Sequence, residues 1–163
     1  MKNLGANILG MALGVAGFLV WLLPTIVFTT TIFSNTLAEV TNGFNLISFA
    51  EGVDGMVIAY SIALIALFVV AGLLALLSLV RVFIDNGKKP KYAGVQNLLG
   101  GLLALLSIVV LVFVIIIVTN QVAVDVNVGF QIYEANFSIG IASILACGIS
   151  VLGALIMMSL NKK

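Results

Sequence analysis

Long apolar runs divide the chain into four, and the segments between them alternate in character. The runs cover residues 4–33, 56–83, 95–118 and 138–160, each reaching the roughly 20 residues a helix needs to cross a bilayer's hydrocarbon. Between the second and third runs lies a short basic turn, residues 84–94. The other two connections, residues 34–55 and 119–137, are longer and acidic. This pattern predicts an all-α membrane protein of one domain, a four-helix bundle with its two longer connections on one side.

The first run is about twice the apolar core of a secretory signal, so it reads as a signal-anchor retained as the first helix. Pro24 interrupts it, and the residues beyond are rich in β-branched side chains. Either the helix ends near Leu23 and residues 25–33 form a strand outside, or Pro24 kinks one longer helix. Residues 25–33 show no clean alternation, which favours the longer helix.

The second long connection is patterned differently. Val122, Val124, Val126, Val128, Phe130 and Ile132 alternate with small or polar residues, the period of a strand with one buried face. In the first long connection, Asn42-Gly43 between strand-like runs is a hairpin signal, because a type I′ turn needs positive φ at both central positions. The two connections are therefore expected to pair into one small antiparallel sheet on the helix ends. In arrangement the chain resembles the claudin-type tetraspan plan, which implies a sheet from two outer loops seated on a left-handed four-helix bundle. The likeness is one of topology: the Trp…Gly-Leu-Trp…Cys…Cys signature of that family's first outer loop is missing, and no functional residue carries over.

Charge sets the expected orientation. Four of the seven basic residues, Arg81, Lys88, Lys89 and Lys91, lie in or beside the central turn, and the others lie at the chain ends. Lys/Arg clusters next to membrane spans mark the cytoplasmic side. Both termini and the turn are thus expected inside, in a plasma membrane, with Arg81 reaching toward the headgroups. Composition agrees: 63% of the 163 residues are hydrophobic and 8% charged, with mean hydropathy +1.31. Soluble chains carry about 25% charged residues.

Small residues suggest where helices meet. Gly10 and Gly14 make a small-xxx-small face on the first helix, and Ala142, Ala146, Ser150 and Ala154 recur at four-residue spacing on the last. Lipid offers helices no hydrophobic drive to associate, so close backbone packing has to supply it. These faces are expected either to close the bundle or to meet another chain. The sequence Gly-Leu-Leu-Ala-Leu-Leu-Ser occurs twice, at 72–78 and 101–107.

The chemistry is sparse. With no histidine and one cysteine, Cys147, an internal disulfide, metal sites built on His or Cys pairs and imidazole haem ligation are excluded. No acidic or basic residue lies mid-helix, where proton relays and ion pathways need one. Glu39, Glu51, Asp54, Asp125 and Glu134 read as solvated connection charges, without the spacing of a calcium loop. Gln96 and Asn97 are expected to cap the third helix or meet headgroups. No catalytic residue, cofactor or nucleic-acid surface is expected.

These observations imply a non-catalytic structural or accessory subunit. Its expected partners are the lipid bilayer and other integral membrane chains, or copies of itself. Contact is expected through Val122, Val124, Val126 and Val128 of the outer sheet and through Gly10, Gly14, Ala146, Ser150 and Ala154. A self-assembling, holin-like pore is the alternative, and a membrane enzyme or transporter the second.

Overall fold

The computed structural model describes residues 4–32, 35–44, 55–84, 92–119 and 134–162. Four helices dominate: α1 (Leu4–Leu19), α2 (Gly55–Ile84), α3 (Ala93–Thr119) and α4 (Ile141–Asn161). All four, α1 with the 3₁₀ turn Val20–Leu22 that extends it, are long and apolar enough to cross a membrane. They pack in a ring, α1 on α2, α2 on α3, α3 on α4 and α4 back on α1. A three-stranded antiparallel sheet joins them, with β1 (Pro24–Ile32) central between β2 (Asn35–Asn42) and β3 (Glu134–Ile139).

The expectation of one helix over residues 4–33 is corrected. Helix α1 stops at Leu19, and Pro24 opens a strand. Leu23 sits at φ −77°, ψ 164°, the extended conformation that a following proline imposes by clashing with a helical neighbour. Beyond Pro24, Thr25, Ile26, Val27, Thr29, Thr30, Thr31 and Ile32 are β-branched and suit a pleated sheet better than a helix. The shorter helix still suffices. Sixteen helical residues and three in a 3₁₀ turn span about 30 Å, close to the hydrocarbon thickness.

The missing alternation also has a cause. The β1–β2 register pairs Pro24 with Asn42 but Ile26 with Thr41, leaving Thr25 as an extra residue in β1. Such a bulge breaks the two-residue period and re-aims a side chain. Thr25 and Ile26 are accordingly both buried, one after the other.

Strands from both long connections meet in the sheet. Strand β1 pairs with β3 from Ile26↔Ile139 to Thr31↔Glu134. The hairpin observed is β1–β2, closing between Ile32 and Asn35, rather than one turning at Asn42-Gly43. The expected second arm of that hairpin and the alternating stretch with Val122, Val124, Val126 and Val128 lie outside the described residues.

Glycine permits two close approaches at this end. A Cβ on Gly140 would overlap the carbonyl of Pro24 and come 2.7 Å from Thr25 C, so β3 can turn into α4 directly against β1. A Cβ on Gly43 would come 2.9 Å from the Trp21 ring. The chain leaving β2 is pinned to the bundle by aromatic rings: Phe68 stacks on Phe18 at 4.5 Å and on Phe44 at 5.0 Å between centroids.

Candidate functional site

The helices meet at the opposite end from the sheet in a buried polar node, to which each contributes. From α2 come Ser78 and Arg81, from α3 Gln96 and Asn97, from α4 Asn161, and from α1 the Ala6 carbonyl. Arg81 and Gln96 are both 0% exposed. The Arg81 Nη1 donates to Gln96 Oε1 and, at 3.4 Å, to Asn161 Oδ1. Gln96 Nε2 donates to Ser78 Oγ at 2.8 Å and to Ala6 O at 3.3 Å. Asn161 Nδ2 donates to Gln96 Oε1 at 3.0 Å and to Asn97 Oδ1 at 2.7 Å. Buried polar groups need such partners, because each lost bond leaves a desolvated group behind.

Two expectations are corrected here. Arg81 does not reach outward to headgroups; its side chain turns into the bundle. Gln96 is neither a cap nor a headgroup ligand but the centre of the node. Both follow from the bundle's geometry, since α2 ends and α3 begins where α1 begins and α4 ends. Uncharged polar residues at four helix ends on one side could have signalled this, but only with the helix order known.

The other candidate residues are placed as follows. Gly10 faces the node, where a Cβ would come 2.6 Å from Gln96 Nε2. Gly14 lies against α2, where a Cβ would come 2.5 Å from Ala71 O and 2.6 Å from Ala75 Cβ. Ala146, Ser150 and Ala154 are buried within the chain. A Cβ on Gly100 would overlap Met157 and reach Ala154, and one on Gly153 would overlap Leu13. These small residues make contacts among the chain's own helices. Val122, Val124, Val126, Val128, Lys88, Lys89 and Lys91 lie outside the described residues, as do Glu51, Asp54 and Asp125.

The hydroxyls divide by role. Ser61 bonds back to Val57 O at 2.9 Å, and Ser107 to Leu103 O at 2.8 Å. Ser107 also lies 3.0 Å from Ser150 Oγ, tying α3 to α4. The repeated seven residues are used alike in both helices: Leu74 and Ser78, and Leu103 and Ser107, are buried. Cys147 is free and half-buried. Among the described residues, no group of three or more His, Cys, Asp or Glu side chains could hold a metal ion.

The arrangement is one of cohesion: amide and guanidinium donors are spent on carbonyl and hydroxyl acceptors of neighbouring helices. No family model matches the chain, and none of the curated proteins matches it.

Proposed function

We propose that the chain is a non-catalytic structural or accessory subunit of a membrane assembly, meeting its partners through the sheet. One observation carries the reading: a three-stranded sheet is built onto a bundle whose polar groups are turned inward. Strand β1 is paired on both sides, so β2 and β3 are the outer strands of the described sheet. Outer strands present main-chain donors and acceptors that invite pairing with another chain. The bundle supplies a rigid base, with its small-residue faces and its polar node engaged internally.

In this reading the sheet faces the extracytoplasmic side of the plasma membrane, and both termini and the basic turn lie in the cytoplasm. The lysines of that turn and of the chain ends support the orientation. Val122, Val124, Val126 and Val128 are the proposed contact residues in the second long connection.

The test is the mass and composition of the particle released from native membranes by a mild detergent. Other chains co-purifying in fixed ratio support the subunit reading. A ring of identical chains that conducts in planar bilayers establishes the pore instead, and a lone monomer overturns both. Val124→Asp and Val126→Asp should release the partners while leaving the bundle's thermal unfolding unchanged.

A further inference from the structure

The chain does not leave the bundle at the root of the sheet. At that root Asn42, the last residue of β2, pairs with Pro24, the first of β1. The next two residues run back along the first span. Gly43 lies on Trp21, where a Cβ would come 2.9 Å from the indole ring, and Phe44 lies against Phe18, with 6.3 Å between ring centroids. Phe44 also stacks on Phe68 of α2 at 5.0 Å, and Phe68 on Phe18 at 4.5 Å. Contacts in the order Pro24, Trp21, Phe18 descend the first span from its end. The connection between α1 and α2 therefore turns back beside the helices it joins.

Two helices give the depth separately. The first span closes at Leu22. Phe18 lies one α-helical and three 3₁₀ steps before it, about 7 Å along the axis. On α2, Tyr60 meets Thr25 at the root of the sheet. Phe68 comes two turns later, about 12 Å further down. Each leaflet contributes about 15 Å of hydrocarbon, so in a bilayer crossed by these helices Phe44 lies below the headgroups.

The surroundings suit lipid. At these levels α1 and its 3₁₀ extension expose Phe18, Leu19 and Leu22, and α2 exposes Ile65 and Val69. Gly43 is buried, and irregular backbone at membrane depth has to be covered by protein in this way. In sequence, Phe44 is followed by Leu46, Ile47 and Phe49 before the first charge, Glu51.

We propose that the connection between α1 and α2 re-enters the bilayer, with Phe18 and Phe68 seating Phe44 among the acyl chains of the leaflet on the sheet side. Strand β2 is then anchored to lipid at its end, as β1 is anchored through α1. Re-entry requires that the helices cross the membrane, and it holds for either orientation of the chain.

The experiment is solid-state NMR on the full, unsubstituted chain in lipid bilayers. It compares proton spin diffusion to backbone amides from acyl-chain methylenes and from water. Val69, exposed on α2 next to Phe68, is the acyl-chain reference. Thr36, paired with Thr31 near the far end of β2, is the water reference. Transfer to Phe44 several-fold faster from methylenes than from water, as at Val69 and unlike Thr36, is the expected result. Water first at Phe44 with methylenes first at Val69 overturns the re-entry and leaves the spans standing. Water first at both overturns the spans and the re-entry with them. Phe18→Ala combined with Phe68→Ala should turn Phe44 to water first while Val69 and Thr36 stay as they were. An unchanged order at Phe44 overturns the seat. The unsubstituted chain decides the re-entry even if that variant fails to fold.

Discussion

Arg81 and Gln96 face one another from the adjoining ends of α2 and α3, the guanidinium donating to the amide carbonyl with neither side chain exposed. The same Gln96 holds Ser78 and the Ala6 carbonyl through its Nε2. Removing one member of a buried polar set is more harmful than removing the set, because the survivors stay desolvated. Gln96→Leu should therefore cost about 3 kcal/mol of stability. Arg81→Met together with Gln96→Leu should cost less than Gln96→Leu alone, a non-additivity expected of side chains in contact. Reversible unfolding of the single and double variants in one detergent measures both.

Helix proximity gives a second prediction, resting on two glycines of opposite setting. A methyl at Gly14 meets the Ala71 carbonyl and Ala75 Cβ, which are backbone and near-backbone atoms that cannot swing aside. A methyl at Gly72 meets nothing within 4 Å. Gly14→Ala should lower stability by about 1–3 kcal/mol by forcing α1 from α2. Gly72→Ala should stay within about 0.5 kcal/mol of the parent. Thermal midpoints in micelles separate the two; equal losses would mean that α1 and α2 do not pack as described.

The long helices were legible because an apolar run of 20 or more residues leaves few alternatives. The strand after Pro24 was harder. Its β-branched content pointed one way, while the bulge at Thr25 erased the alternation that would have confirmed it. The polar node was not legible at all. Arg81 at a helix end can turn outward or inward, and the choice depends on Gln96 and Asn161, which are 15 and 80 residues away. The small-residue faces stood out in the sequence, but spacing alone does not say whose helix they contact.

The junction of sheet and bundle yields a third prediction. Gly140 donates its N–H to Thr25 O and has no room for a side chain beside Pro24. Gly140→Ala should push β3 off β1 while α1–α4 persist. Hydrogen exchange checks this locally: the amides of Val27 and Thr29 should exchange faster, while those of Leu64, Leu67 and Val110 keep their protection. Gly148→Ala, at a position with nothing within 4 Å, is the control and should change neither set. Uniform loss of protection in Gly140→Ala would mean that the sheet and bundle unfold as one unit.

The last prediction concerns orientation, which basic residues set while the chain inserts, before any bundle exists. Arg81 can therefore help retain the central turn inside and still end up buried in the node. In a Cys147→Ser background, a cysteine at Lys88 should react with a membrane-impermeant maleimide only after the cells are opened. A cysteine at Asp125, in the second long connection, should react in intact cells. Neutralising Lys89 and Lys91 to Gln while placing Lys at Glu51 and Asp54 should produce a mixed population, with the cysteine at Lys88 and the one at Asp125 each partly labelled from each side. Labelling of Lys88→Cys in intact cells would reverse the orientation and put the sheet in the cytoplasm. Partners would then be sought there, and the fold itself would be unaffected.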